Sequence, residues 1–231
     1  MVSAGADCFI FCDTNGGTLP EEVRKILSEI VNKYPNTKFG VHFQNDNGCA
    51  VVNSMVAVGL GVDHVQGTIN GYGERTGNAD LCTLIPNLSL KQNYETIPVD
   101  SLEKLTQTAN HIAELVNVSI DSRHPYVGSS AFTHKAGLHA SGMSKDKSLY
   151  EHIDSSKVGN FTRTTVSELA GRASVITKAE EFGLSINNEE AKELIQQVQN
   201  LEHLGFQFEA ADASLYICLL YTSPSPRDVS T

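Results

Sequence analysis

The sequence has no tryptophan, few positively charged residues and no long apolar run. Its 17 lysines and arginines are outnumbered by 27 aspartates and glutamates, which gives a net charge of -10 at pH 7. Nucleic acids and anionic membranes are bound by basic surfaces, so this charge balance argues against both kinds of partner. The sequence also lacks an apolar window of about 18 residues that could span a membrane, and its N-terminus lacks the regions of a signal peptide. We therefore expect a cytoplasmic protein that acts on small molecules.

Cysteine is scarce as well. The five cysteines are odd in number and none belongs to a CxxC pair, which argues against a disulfide framework and against a zinc cage. Hydrophobic residues make up 40% of the 231 residues, an ordinary share for a folded protein. A chain of this length can bury the core of one large domain or of two small ones.

The first part of the chain alternates short apolar runs with amphipathic helical patterns. Strands are predicted at Asp7–Cys12, Lys38–Phe43 and His64–Ile69. Helices are predicted between them, the first capped by Thr18. Because the strand starts recur after about 25 to 30 residues, the length of one strand-helix unit, we expect parallel strands joined by helical crossovers. This pattern suits a doubly wound sheet or a (βα)8 barrel, and three strands complete neither.

After Asn87 the pattern becomes helical. Helices are predicted at Asp100–Asn117, Ala173–Phe182, Asn188–His203 and Glu209–Leu219. We therefore divide the chain into a strand-helix part at 1–95 and a mainly helical subdomain at 96–217, and we expect preceding strand-helix units to be missing. Residues 218–231 include a Ser/Pro segment that resembles translated sequencing-adaptor read-through, so we predict an artefactual or disordered tail there.

Polar residues follow all three predicted strands. The three strand ends are Asp13–Gly17, Gly40–Asp46 and Gly67–Asn78. Ligands of parallel βα folds bind at the carboxyl ends of the strands, and positions 42 and 44 of an extended strand share one face, opposite to Phe43. The amide oxygen of Asn78 is of the kind that a hard or borderline cation accepts. Taken alone, His42 is more often a structural histidine, but its place among consecutive polar strand ends favours a metal site.

Three longer motifs carry a family resemblance. They are His42-x-Gln44-Asn45-Asp46-x-Gly48, Gln66 to Asn78, and Ala131-Phe132-x-His134-Lys135-x-Gly137-x-His139. With these motifs the chain resembles the 2-isopropylmalate, homocitrate and citramalate synthase family from Asp7 to Tyr216. Two further segments, Asp13–Pro20 and Tyr150–Asp154, resemble the citramalate-forming members most.

The resemblance implies a fold and a reaction. The fold would be a partial (βα)8 TIM barrel, namely its last three strand units, followed by a mainly helical subdomain. The reaction would be a Claisen-type condensation of acetyl-CoA with a 2-oxo acid, here pyruvate, on the route toward isoleucine. A divalent metal (Mn, Mg or Zn) would assist this acyl transfer. The family also implies a homodimer in which the helical part completes the partner's active site.

The resemblance also assigns roles to individual residues. His42, Gln44 and Asn78 match metal-ligand positions, and Thr14 matches a hydroxyl that hydrogen-bonds the oxo-acid carboxylate. His139 matches a histidine that handles protons of the acetyl thioester, with Tyr150 beside it. A histidine suits that task because its ordinary pKa allows proton transfer in both directions near neutrality.

The chain departs from the family pattern in two ways. Gln44 replaces a second histidine, and an amide oxygen binds zinc or manganese more weakly than an imidazole does. The Arg-Asp pair that the family carries on its first strand has no match, so we expect this chain to be inactive alone.

Three alternatives stay open. The oxo acid could be 2-oxoisovalerate or 2-oxoglutarate, which would make the protein a 2-isopropylmalate or homocitrate synthase. The chain could instead be a non-catalytic remnant that binds metal or mediates oligomerisation. A lyase of the hydroxymethylglutaryl type is disfavoured, because such lyases normally lack the helical part that carries His139.

Overall fold

A computed structural model describes residues 5–135, 146–165 and 172–205, and Ala213, Tyr216, Ile217 and Leu220 singly. The chain forms two compact units: residues 1–131 with 156–160, and residues 132–155 with 161–231. The boundaries predicted at 95 and 217 stay predictions. The helix predicted at Glu209–Leu219 and the predicted tail lie, apart from the four single residues, outside the described part. None of the described helices is long and apolar enough to cross a membrane.

The first unit is built on a parallel sheet of three strands in the order β1-β2-β3. These strands are β1 (Phe9–Asp13), β2 (Phe39–Phe43) and β3 (His64–Gln66). Helix α1 (Pro20–Lys33) connects β1 to β2, and α2 (Ala50–Gly59) connects β2 to β3. The predicted parallel strand-helix units, and with them the α/β fold class, are confirmed, although β3 is shorter than its predicted range.

The side chains of β2 point alternately to the two faces of the sheet, and one of these faces packs against helices. Phe39, Val41 and Phe43 are buried in the hydrophobic cluster of this unit, together with Val23 and Leu27 of α1. Successive strand residues point to opposite faces, so His42 lies on the other face. There it pairs in register with Cys12 of β1 and Gln66 of β3. Helices therefore cover one face of the sheet, and the candidate metal ligand occupies the other.

Helix α1 begins one residue later than predicted. Pro20 is its first residue and Leu19 holds the N-cap position, where the Leu19 N–H donates to Glu22 Oε2 at 2.9 Å. The prediction of Thr18 as the cap is wrong, because the Thr18 N–H is bound to Asp13 Oδ2 at 3.1 Å in the preceding loop. Asn53 of α2 also donates to the Thr18 carbonyl at 2.8 Å. Thr18 is thus part of the strand-end loop and not of the helix.

The rest of the first unit contains further helices. Helix α3 (Leu81–Pro86), which was not predicted, is capped by Asp80, whose carboxylate accepts from the Cys82 N–H at 2.9 Å. The helix predicted at Asp100–Asn117 is two helices, α4 (Val99–Leu102) and α5 (Leu105–Val116).

Residues 156–160 also belong to the first unit. Val158 is fully buried, and its carbonyl accepts from Thr106 Oγ1 of α5 at 2.7 Å. Asn160 donates to the carbonyls of Tyr126 and Gly128 at 2.9 and 3.0 Å. This short segment is therefore built into the core and the hydrogen bonding of the first unit.

The second unit contains two three-residue strands and two described helices. The strands β4 (Thr133–Lys135) and β5 (Arg163–Thr165) pair in parallel and were not predicted. The helices α6 (Arg172–Glu181) and α7 (Asn188–His203) agree with prediction, α7 in both bounds. Their shared core contains Val175, Ala179, Leu194 and Val198.

Candidate metal site at the strand ends

The loops that follow the three strands of the first unit are bound to one another. The Asn45 N–H after β2 donates to the Gly77 carbonyl at 2.8 Å, and the Asn47 N–H donates to the Gly16 carbonyl after β1 at 3.2 Å. Arg75 Nη2, in the loop after β3, donates to the Thr14 carbonyl at 3.0 Å. Backbone and side-chain hydrogen bonds thus join the three strand ends into one assembly.

Gln44 and Asn78 lie opposite each other within this assembly. They form an isolated antiparallel bridge, and the side-chain oxygens Gln44 Oε1 and Asn78 Oδ1 are both buried without a hydrogen-bond partner among the described residues. The side chain of Asn78 is oriented by its nitrogen, which donates to the Tyr72 carbonyl at 3.0 Å. A buried acceptor left unsatisfied is costly, and a cation satisfies it as well as a donor does. Two such oxygens at one bridge are the features of this structure that best fit a metal ion.

His42 is held by Gln66, the first residue of the second motif, to which the sequence assigned no role. Its Nδ1 lies 3.1 Å from Gln66 Oε1, the residue paired with it on β3. An amide oxygen can only accept, so Nδ1 carries the hydrogen and the neutral ring keeps its lone pair on Nε2. A metal-binding histidine is typically oriented by such a contact at its other nitrogen. The register of two adjacent parallel strands was the signal that could have identified Gln66.

The available donors restrict the kind of cation. Within the described ranges, no three or more His, Cys, Asp or Glu side chains come together as a metal-binding group. A cation at this edge would instead take the imidazole of His42 and the amide oxygens of Gln44 and Asn78. These neutral donors fit a divalent ion that completes its shell with water or substrate oxygens.

A bidentate ion pair joins the second and third strand-end loops. Arg75 Nε and Nη2 lie 2.6 and 2.9 Å from Asp46 Oδ1 and Oδ2. The hydrogen bonds and charge of Arg75 lower the pKa of Asp46, and Asp46 in turn raises the pKa of Arg75. Glu74, the sequence neighbour, lies 3.9 Å from Arg75 and its side chain is 86% exposed. Arg75 therefore pairs mainly with Asp46 and not with its sequence neighbour Glu74.

Two glycines allow these loops to approach closely. Gly16 has φ +66°, and a Cβ there would collide with Asp46 Oδ2. Gly77 has φ +89°, and a Cβ there would overlap the Gly71 carbonyl oxygen. Both positions require a residue with no side chain and a left-handed backbone, which only glycine supplies without strain.

The other predicted site residues lie in different parts of the chain. Thr14 is exposed just after β1. Tyr150 belongs to the second unit, where its half-exposed ring stands edge-on to His134 with the centroids 6.5 Å apart. His134 Nε2 lies 3.5 Å from the buried Glu151, which also accepts a hydrogen bond from Thr162. His139 lies outside the described residues, and its role stays a prediction.

The chain matches two family models and many curated proteins. Residues 1–116 match the HMGL-like model, and residues 126–205 match the model described as homocitrate synthase post-HMGL domain-like. The chain is 47% identical to an (R)-citramalate synthase of Aquifex aeolicus and 44% identical to one of Geobacter sulfurreducens, and both matches cover 94% of this chain. It spans 42% and 41% of the length of these two relatives. An HMG-CoA lyase of Bacillus subtilis is 24% identical with a TM-score of 0.45, over 53% of this chain and 42% of that one.

Proposed function

The chain belongs to the HMGL-like family, and on that premise we propose that it is part of a citramalate synthase, which condenses acetyl-CoA with pyruvate to give (R)-citramalate and CoA. The observation that carries this proposal is the pair of unsatisfied carbonyl oxygens on Gln44 and Asn78, beside the oriented imidazole of His42. The sequence identity to (R)-citramalate synthases supports the choice of reaction.

The reaction needs a base, an electrophile and a water molecule. The base takes a proton from the methyl group of acetyl-CoA, and the resulting carbanion attacks the keto carbon of pyruvate. A carbon–carbon bond forms while the carbonyl electron pair moves to the keto oxygen, which then takes up a proton. Water finally cleaves the thioester, and CoA leaves as the thiol. We assign the base to His139 and a supporting role to Tyr150.

The residues at the strand ends would hold and orient the oxo acid. His42, Gln44 and Asn78 would bind a divalent cation, which supplies Lewis acidity toward the keto oxygen. The Thr14 hydroxyl would donate a hydrogen bond to the carboxylate of the acid. Arg75 does not take that role in our proposal, because its guanidinium group is already paired with Asp46.

A substrate comparison tests the proposal. The protein expressed from its complete gene is freed of metal with a chelator and supplied with Mn²⁺, Mg²⁺ or Zn²⁺, and CoA release is followed with pyruvate, 2-oxoisovalerate and 2-oxoglutarate. We expect the highest kcat/KM with pyruvate and no CoA release without metal. Preference for 2-oxoisovalerate or 2-oxoglutarate would assign the protein to another synthase of the family. Metal binding without CoA release for any acid would indicate a non-catalytic remnant.

Three further features complete the proposal. We expect a homodimer in which the second unit serves the partner's active site, a cytoplasmic location, and no activity for this chain expressed alone. Mixing two inactive variants, His42→Ala and His139→Ala, tests the dimer. If each site uses residues of both subunits, the mixture regains part of the CoA release, whereas sites within single subunits would leave it inactive.

A further inference from the structure

The ion pair between Arg75 and Asp46 has no part in the chemistry proposed above. The side chains are 44% and 25% exposed, and pairs at such exposure usually add little to the stability of a protein. The geometry of this pair is nevertheless specific, with two nitrogens of one guanidinium group on two oxygens of one carboxylate. Bidentate contacts of this kind fix orientation.

The guanidinium group also reaches the loop after β1, which contains Thr14. Arg75 Nη2 donates to the Thr14 carbonyl as well as to Asp46. One side chain of the loop after β3 therefore binds both the loop after β1 and the loop after β2. An ammonium group is a compact point charge and cannot reproduce this planar fork. The contact therefore depends on arginine and not on positive charge alone.

The loop after β2 also contacts the loop after β1 directly, at Gly16. Asp46 Oδ2 occupies the space that a Cβ at Gly16 would fill, and the Asn47 N–H donates to the Gly16 carbonyl at 3.2 Å. Thr14 is thus flanked by Arg75 at its own carbonyl and by Asp46 two residues further on. This segment carries the hydroxyl that the proposed function places on the oxo-acid carboxylate.

The backbone conformation at Arg75 links the ion pair to the turn that carries Asn78. Arg75 has φ +53°, a left-handed conformation that costs free energy in any residue with a side chain. The same turn continues through Gly77, whose carbonyl binds the Asn45 N–H, to Asn78. The turn that presents Asn78 at the metal site therefore also directs Arg75 at Asp46.

We propose that Arg75 and Asp46 form a positioning clasp, which holds the loop of Thr14 against the loop of Asn78 and thereby sets the KM for the 2-oxo acid. The substrate in this statement rests on the proposed function, whereas the clasp itself rests on the contacts alone. Two measurements separate these parts.

The first measurement is kinetic and uses Arg75→Gly. Glycine accepts the left-handed backbone, so this variant removes the guanidinium group without adding strain. We expect KM for pyruvate to rise by about 10- to 100-fold, the scale of misplacing a bound substrate, while KM for acetyl-CoA changes by less than about twofold. Free guanidinium ion at low millimolar concentration should restore part of the loss, and Arg75→Lys should not. Arg24→Gln, which breaks an exposed 3.7 Å pair with Glu21 in α1, is the matched control.

The second measurement needs no activity. Amide hydrogen exchange at Gly16 and Asn47 should become at least about tenfold faster in Arg75→Gly and stay unchanged in Arg24→Gln. Unchanged exchange in Arg75→Gly would overturn the clasp, whatever the kinetics. Faster exchange with an unchanged KM for pyruvate would overturn its role in substrate binding. If the wild-type protein condensed none of the three oxo acids, the proposed function would fail, and hydrogen exchange would still decide whether the clasp exists.

Discussion

Gln44 and Asn78 face each other across one antiparallel bridge, and each carries a buried carbonyl oxygen that no donor in the described part of the chain satisfies. Leaving a buried acceptor unpaired costs about 1 to 3 kcal/mol. The backbone around the bridge keeps the two oxygens in place, since Asn78 is held at its N–H by Gly71 and at its side-chain nitrogen by Tyr72. A cation bound at the bridge would offset this cost.

The first prediction concerns the choice of ligand at position 44. Changing Gln44→His should tighten Zn²⁺ binding by about tenfold or more, because an imidazole nitrogen binds zinc better than an amide oxygen. Isothermal titration of the metal-free protein measures this affinity. Gln107→His, at an exposed position of α5, is the matched control and should change nothing. Equal Zn²⁺ affinities for wild type and Gln44→His would place residue 44 outside the metal shell.

The second prediction concerns the orientation of His42. Removing the acceptor with Gln66→Leu should weaken metal binding by about 10- to 100-fold, the usual effect of losing an outer contact to a histidine ligand. Gln66→Glu keeps an oxygen acceptor for Nδ1–H and should retain the affinity. Titration with Mn²⁺ and Zn²⁺ compares the three proteins. The assignment of His42 as a ligand is wrong if Gln66→Leu binds metal as the wild type does.

The third prediction concerns the approach of the first two loops. Gly16→Ala should lower the free energy of unfolding by about 1 to 3 kcal/mol more than Gly48→Ala does, because only the first variant forces a methyl group into Asp46. Both glycines have a positive φ, +66° and +75°, so the backbone strain is similar and only the contact differs. Urea unfolding measures the difference. Similar losses for the two variants would show that the loops can separate at no cost.

The fourth prediction is a pH dependence. Burial raises the pKa of the Cys82 thiol from 9.0 to about 12. The unfolded chain therefore loses this proton above pH 9.0 while the folded chain keeps it, so the free energy of unfolding falls between pH 9.0 and about 12. Relative to Cys82→Ala, the wild type should lose about 1.4 kcal/mol of stability between pH 8 and pH 10. Cys82→Ser, also unable to ionise there, should behave like Cys82→Ala. If the free energy of unfolding changed with pH in the same way in all three proteins, burial would not keep the Cys82 thiol protonated.

The hydrophobic pattern predicted the central elements well. The three strands and the two crossover helices of the first unit, and α7 in both bounds, follow from apolar residues at intervals of two or of three to four. Short elements escaped prediction, because β4 and β5 have three residues each and α3 has six. Periodicity cannot be read over so few positions. The break between α4 and α5 was missed for the same reason, since only a two-residue interruption separates them.

Partners in the site were harder to predict than its members. Proximity in the sequence would pair Arg75 with Glu74, whereas the structure pairs Arg75 with Asp46, 29 residues away. In the same way the contact of Gln66 with His42 follows from the register of two strands, and the motif that begins at Gln66 did not indicate it. A motif indicates which residue types a site contains, but contacts between loops depend on the three-dimensional arrangement of the strands.

Because residues 156–160 belong to the first unit, the two units do not occupy separate stretches of the gene. The chain leaves the first unit after Ala131, comes back for five residues and leaves again after Asn160. A gene fusion with its joint before residue 156 would remove the fully buried Val158 and the two hydrogen bonds donated by Asn160. The two units are thus interleaved along the gene: a joint beyond residue 160 keeps the first unit whole but leaves residues 132–155 of the second unit with it, so no single joint exchanges both units intact.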